Sequence, residues 1–400
     1  MGRSGLAPLL IALLWSSLAL TSWNIHAAPD GLYNDFSAFH LVGRLARYGQ
    51  AATAYDPVRF AKVQAGLWDV PGKFLWGYPP PFTLLTVPLS MLPQWLAFML
   101  VLGGSLTAYL LVLKALAPND FPVVLGVLFP TLIHVIEVGQ NGLLMGAVAG
   151  WVALSVSRGR RNATGVALGL MSLKPHLAMG LVALTIMTGR WRALAMAALV
   201  ALLLAALATW TFGWDIWAAF RNGLAASGEA LHGAGLKLSW MTSPYGSLLS
   251  LGVPFPVALA AQGVVGLMAL GAVGMARGLD WENRRQLGLA ALASGLTSPY
   301  FYNYDLPVCG LAVALLRQDV ARHASRAETI LLLCLSWAPC TLALLQKHVA
   351  PGYSPPAVGG YALTLALPVI FRIVWRAERE TASAQACFTG TRLSASTLWK

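Results

Sequence analysis

Apolar segments of roughly membrane-spanning length recur along nearly the whole chain, separated only by short charged loops. They fall near 5–26, 82–116, 120–137, 140–157, 162–174, 175–189, 193–212, 254–276, 285–298, 304–317, 328–346 and 357–375. A bilayer core about 30 Å thick needs about 20 apolar residues of helix to cross it. The backbone polar groups of such a run must be satisfied within the segment, so helix is the expected form. Composition agrees, with 57% hydrophobic and 10% charged residues, where a soluble domain is about a quarter charged. The expected fold is therefore all-α, a polytopic membrane protein of about twelve transmembrane helices. The 82–116 stretch is too long for one simple span, and Pro88 and Pro93 are expected to break it into a short outer helix and a true span.

Orientation follows from the basic residues. Arg158 to Arg161, Arg190 with Arg192, Arg277 to Arg285, Arg317 to Arg326, and Arg372 with Arg376 recur at every second loop. The positive-inside rule makes those loops cytoplasmic, together with both termini. Arg3, the run Leu6 to Leu20 and His26-Ala27-Ala28 have the pattern of a cleavable signal peptide. Extended through Trp23 and Ile25, the same stretch is long enough to stay as the first span. One transmembrane domain is expected over 1–376, with a disordered cytoplasmic tail over 377–400. The extracytoplasmic face receives a long first loop, 27–81, and a second large one, 213–253. The net charge of +12 does not point to nucleic acid, because most basic residues sit in short loops beside membrane lipids. Cys309, Cys334, Cys340 and Cys387 show no CxxC spacing, so neither a disulfide framework nor a zinc site is expected.

The candidate residues all lie on the extracytoplasmic side of this layout. In a chain poor in acids, Asp35 stands just beyond the first span, where it is either a working carboxylate or a helix cap. His40, Arg44 and Arg47 share one face of the helix that follows, a basic face suited to lipid phosphate. Asp56 before Pro57 reads as a turn residue. Gln140 and Asn141 follow Gly139 at a tight turn into a helix, suited to sugar hydroxyls or phosphate, or to capping and packing. His134 and Glu137 sit at i, i+3 near the outer membrane edge, as a functional or a mutually satisfied pair. Lys174 and His176 suit an anionic phosphate, the alternative for the lysine being snorkelling to the interface. His232 and Lys237 belong either to an acceptor or phosphate site or to plain surface. Tyr302, with Tyr300, Asn303, Tyr304 and Asp305, makes a sugar-binding aromatic cluster or an interfacial belt. No metal-ligand spacing is readable, and no cofactor is expected.

Several motifs in order carry a resemblance. Asp35-Phe36, Ala54-Tyr55-Asp56-Pro57, Tyr78-Pro79-Pro80-Pro81-Phe82, Gly139-Gln140-Asn141-Gly142 and Gly169 through Lys174-Pro175 resemble glycosyltransferase family 87. The resemblance runs over about residues 1–320 and is weakest at 213–297. It implies a GT-C-type architecture and an inverting hexosyltransferase in the plasma (inner) membrane of a bacterium. The implied donor is a polyprenyl-phosphate sugar, mannose first, and the implied acceptor a lipid or glycan. It also implies that the acid of the first extracytoplasmic loop, Asp35 here, is the catalytic base. The chemistry is consistent: a polyprenyl phosphate leaves readily, while the attacking hydroxyl needs a base. One carboxylate then suffices where glycoside hydrolysis needs a pair. The alternative is a secondary transporter of the inner membrane, which should carry its polar residues near the midplane rather than at one side.

Overall fold

The computed structural model describes residues 3–28, 31–69, 72–230, 238–350 and 356–388. The chain is a helical, multi-pass membrane protein. Helix α1 (Arg3–Ala27) leads into α2 (Phe36–Arg47), a 3-10 turn (Ala51–Tyr55) and α3 (Pro57–Trp68). Then come α4 (Pro80–Leu89), α5 (Gln94–Leu116), α6 (Phe121–Val138), α7 (Gly142–Ser157), α8 (Arg161–Leu170) and α9 (Met179–Met187). The second half contains α10 (Trp191–Phe212), α11 (Asp215–Ala230), α12 (Pro244–Ser250), α13 (Phe255–Gly278) and α14 (Asn283–Leu296). It ends with α15 (Pro307–His323), α16 (Arg326–His348) and α17 (Gly359–Phe388).

Seven of the described helices, α1, α5, α6, α10, α13, α16 and α17, are long and apolar enough to cross a membrane. The expectation of about twelve such spans is corrected. The other apolar stretches form α7, α8, α9, α14 and α15, of 16, 10, 9, 14 and 17 residues. Two of them are cut short where Pro175 follows Lys174. Proline disfavours helical dihedrals in the residue before it, and Lys174 sits at φ −147°, ψ 72° between two 3-10 turns. Helix α14 has another reason to be short. Arg285 through Leu296 are all buried among α7, α9, α13, α15 and α17, and its Gly, Ala and Ser residues allow that close approach. An interior helix need not match the bilayer's hydrophobic thickness.

The 82–116 stretch divides into a short and a full-length helix as expected, with α4 ending at Leu89 and α5 starting after Pro93, but Pro88 lies inside the last turn of α4. The first loop holds two short helices, α2 and α3. Asp56 caps α3 by accepting from the Val58 and Arg59 amides, both at 3.0 Å. Helix α2 does not lie free on a surface. Nine of its twelve residues are buried, and His40 Nε2 bonds the Leu92 carbonyl at 2.9 Å, while Arg44 and Arg47 stay exposed. Helix α17 also departs from expectation. It continues past residue 376 to Phe388, so 377–388 is helical; 389–400 lies outside the described residues.

The helices define two ends. Helix α6 finishes and α7 starts at one end, where α2 also begins. The arginine loops, starting with Arg158 to Arg161 after α7, lie at the other. They are called the site end and the basic end below.

Candidate active site

The site begins where α6 stops. Gly139 takes φ +75°, the left-handed conformation in which glycine commonly terminates a helix. The last carbonyls of α6 then need donors from elsewhere, and the first loop supplies them. The Asp35 amide donates to the Val138 carbonyl at 3.0 Å, and Asn34 Nδ2 to the Glu137 carbonyl at 3.2 Å. Any side chain at 139 would start 2.7 Å from Asn34, so glycine is required twice over. Asn34 Oδ1 also accepts from the Phe36 amide at 3.1 Å. The local capping work therefore falls to Asn34. The Asp35 carboxylate makes no capping hydrogen bond and is half-buried at the start of α2.

That carboxylate accepts from Gln140 Nε2 at 3.0 Å. A carboxylate can only accept, so the amide must turn its NH2 group to Asp35. Gln140 Oε1 is left to accept from the Tyr78 hydroxyl at 2.9 Å. Tyr78 is the aromatic of the Tyr-Pro-Pro-Pro segment. Burial, and the nearby charges of Asp305 and Asp35, push its hydroxyl well above the ordinary tyrosine range, so it remains a donor. Three side chains from three elements thus fix the direction in which one carboxylate oxygen is bound.

The next residue of the turn faces a second charge system. Asn141 Oδ1 accepts from Lys174 Nζ at 3.2 Å, and Lys174 Nζ pairs with Asp305 Oδ1 at 2.5 Å, both partners buried. The lysine reaches this point because the Pro175 break replaces continuous helix at its own position. Asp305 closes a 3-10 turn (Asn303–Asp305) ahead of α15. The Tyr304 carbonyl lies directly on Gly142, where any Cβ would collide with it. Burial pushes the Asp305 carboxyl up and Lys174 opposes it. The tyrosines enclose the pair: Lys174 lies 4.9 Å from the Tyr304 ring centre and 5.6 Å from that of Tyr78. Tyr302 stacks on Tyr304 at 5.1 Å.

The structure brings together Asp35, Gln140, Asn141, Lys174 and Tyr302. It adds Tyr78 and Asn34, which were not singled out as site residues from the sequence, and draws in Tyr304 and Asp305, which were read there only as companions of Tyr302 in a sugar-binding cluster or an interfacial belt. Tyr78 and Asp305 were visible within motifs, but nothing in one sequence joins them to Gln140 or Lys174. His134 and Glu137 do not form a pair, contrary to the satisfied-pair expectation. His134 bonds Asn303 Oδ1 at 2.8 Å, beneath the Trp240 ring at 5.3 Å. Glu137 instead binds Lys347 at 3.0 Å and His348 at 2.6 Å, clasping α16 to α6 at the rim. Their separation has a simple cause, since each finds a partner on a different neighbouring element. His176 Nε2 is buried without a hydrogen-bond partner among the described residues. His232 and Lys237 lie outside the described residues. Among the described residues no three His, Cys, Asp or Glu side chains gather as metal ligands.

The arrangement offers one half-buried carboxylate held by Gln140, next to a neutralised ion pair in an aromatic setting. Compared with known families, residues 76–301 match the model of glycosyltransferase family 87, more than half of the 400-residue chain. Neither the curated proteins nor the solved structures gave a match. The matched range includes Tyr78, Gln140, Asn141 and Lys174. Asp35 precedes it, and Tyr302 and Asp305 follow it.

Proposed function

The chain belongs to glycosyltransferase family 87, and from that premise we propose that it transfers a hexose, mannose, from a polyprenyl-phosphate donor to a lipid or glycan acceptor, with Asp35 as general base. The reaction takes place at the extracytoplasmic face of a bacterial plasma membrane. The observation that carries this reading is the Asp35 carboxylate, relieved of capping by Asn34 and bound on Oδ2 by Gln140.

The step is a single displacement with inversion. The acceptor oxygen attacks the anomeric carbon, and the bond from that carbon to the phosphate oxygen breaks. The electron pair leaves on the polyprenyl phosphate, and the hydroxyl proton goes to Asp35. Gln140 and Tyr78 hold the base in direction, which matters because reacting groups must meet within about 3–3.5 Å. The Lys174–Asp305 pair and the tyrosines shape the neighbouring space. Membership in a glycosyltransferase family sets aside the transporter alternative.

The test is turnover of purified protein against a panel of labelled polyprenyl-phosphate sugars. Asp35→Asn keeps the side-chain shape and removes the base, so transfer should fall by about 10²- to 10⁴-fold with folding intact. Near-normal turnover in a well-folded Asp35→Asn protein would sink the mechanism.

A further inference from the structure

Away from the site end, α6, α15, α16 and α17 enclose a cavity of about 600 Å³. Helices α15 and α16 each pack against both α6 and α17, so the four form a ring around the space. Its wall is largely aliphatic, with Leu128, Val313, Leu316, Leu332, Leu363 and Ile370 among the lining residues. Protein interiors are close-packed and keep few voids larger than a water. An apolar cavity of this kind admits apolar guests rather than water.

Exposure is graded along the cavity. At one end Thr131, Leu306, Cys309 and Pro339 are buried, and Leu306 directly follows Asp305 of the site. At the other end Ala321, Thr329 and Leu333 are exposed and Arg317 is half-buried. The mouth therefore faces the basic end, and the blind end lies under the site. Arg317 at that mouth is under-satisfied. Its Nε is buried without a hydrogen-bond partner, and Asp120, the acid it pairs with, is 3.6 Å away.

We propose that this cavity is a binding site for an anionic phospholipid of the leaflet at the basic end, one acyl chain filling it and the phosphate meeting Arg317. The charge at the mouth selects an anionic head, and the aliphatic wall selects a hydrocarbon chain. The glycosyl donor, with its own hydrocarbon chain, is the competing occupant, and the experiment separates the two. The inference is independent of the base assigned to Asp35.

The experiment is native mass spectrometry of the delipidated full chain titrated with dioleoylphosphatidylglycerol, dioleoylphosphatidylcholine and a polyprenyl phosphate. Wild type should retain one phosphatidylglycerol in preference to phosphatidylcholine, and polyprenyl phosphate should not displace it. Arg317→Gln should lower retention about tenfold, for one lost charge-assisted contact. Ala366→Phe, which fills the lumen, should abolish it. Should Ala366→Phe fail to fold, Arg317→Gln decides alone. Absence of a retained phospholipid, equal retention of the two headgroups, displacement by polyprenyl phosphate, or unchanged binding in Arg317→Gln would each overturn the assignment.

Discussion

Lys174 and Asp305 stand 131 positions apart in the chain and share a buried ion pair. From the sequence, Lys174 faces outward to a phosphate or snorkels to the interface; its burial beside Asp305 is not that of a snorkelling side chain. Removing one partner of a buried pair leaves an uncompensated charge, at about 3–5 kcal/mol. Lys174→Met should therefore lower thermal stability markedly, and the double variant Lys174→Met with Asp305→Leu should recover much of the loss. Thermal unfolding in detergent checks this; no recovery in the double variant would remove the pair as the cause. Donor kinetics of the double variant then isolate any electrostatic role, since stability no longer confounds it. An unchanged donor Michaelis constant would mean that the pair supports the fold alone. A further prediction concerns Gln140. Gln140→Leu should reduce kcat by freeing the Asp35 carboxylate, yet leave unfolding nearly unchanged if its role is orientation. A loss of stability with unaltered kcat in the folded fraction would reject that role.

At the scale of the element, α2 ties the site to the break between α4 and α5. His40, half-buried on α2, bonds the Leu92 carbonyl. Burial, aided by the nearby Arg44 charge and opposed by that bond, holds its pKa below the ordinary 6.5. The unfolded chain then binds the proton more readily than the folded one. The stability contributed is fully present above about pH 6.5 and is lost as pH falls toward the folded pKa. Hydrogen exchange in α2 should accelerate between pH 7.5 and 5.5 in wild type, after correction for intrinsic exchange. His40→Gln should flatten that dependence. An identical pH response in the variant would show that another group controls it. The helical period and the basic face of α2 were legible in its sequence. That nearly all of the helix would be buried was not, because the covering surfaces come from α4 and α5.

For the whole molecule, the basic end is more than a topology signal. Asp319 binds Arg284 and Arg285, each at 2.8 Å, and Glu378 of α17 binds Arg285 at 2.9 Å. Glu328 holds Arg372 and Arg376 of the same helix at 2.5 and 2.6 Å. These ties give the continuation of α17 past residue 376 a physical basis. The sidedness remains a prediction from charge. With the four native cysteines replaced, a cysteine at Gly66 should react with an impermeant thiol reagent in intact cells. One at Ser157 should react only after permeabilisation. The reverse pattern would place the site in the cytoplasm.

Sequence alone established the class of molecule. Long apolar runs must become helices in a bilayer, and the prolines at 93 and 175 mark breaks that local sterics impose. It also picked out Asp35, Gln140, Asn141 and Lys174, because polar residues beside apolar runs are few. It overcounted the full-length spans, since hydropathy cannot distinguish a lipid-facing helix from an interior one such as α14. Only the tertiary structure decided which polar groups meet. Asn34 takes over the capping, Tyr78 turns the Gln140 amide toward Asp35, and Asp305 neutralises Lys174. The Tyr78–Gln140, Gln140–Asp35 and Lys174–Asp305 contacts join segments distant in sequence, and such a hydrogen bond is set by spatial position that no local pattern encodes.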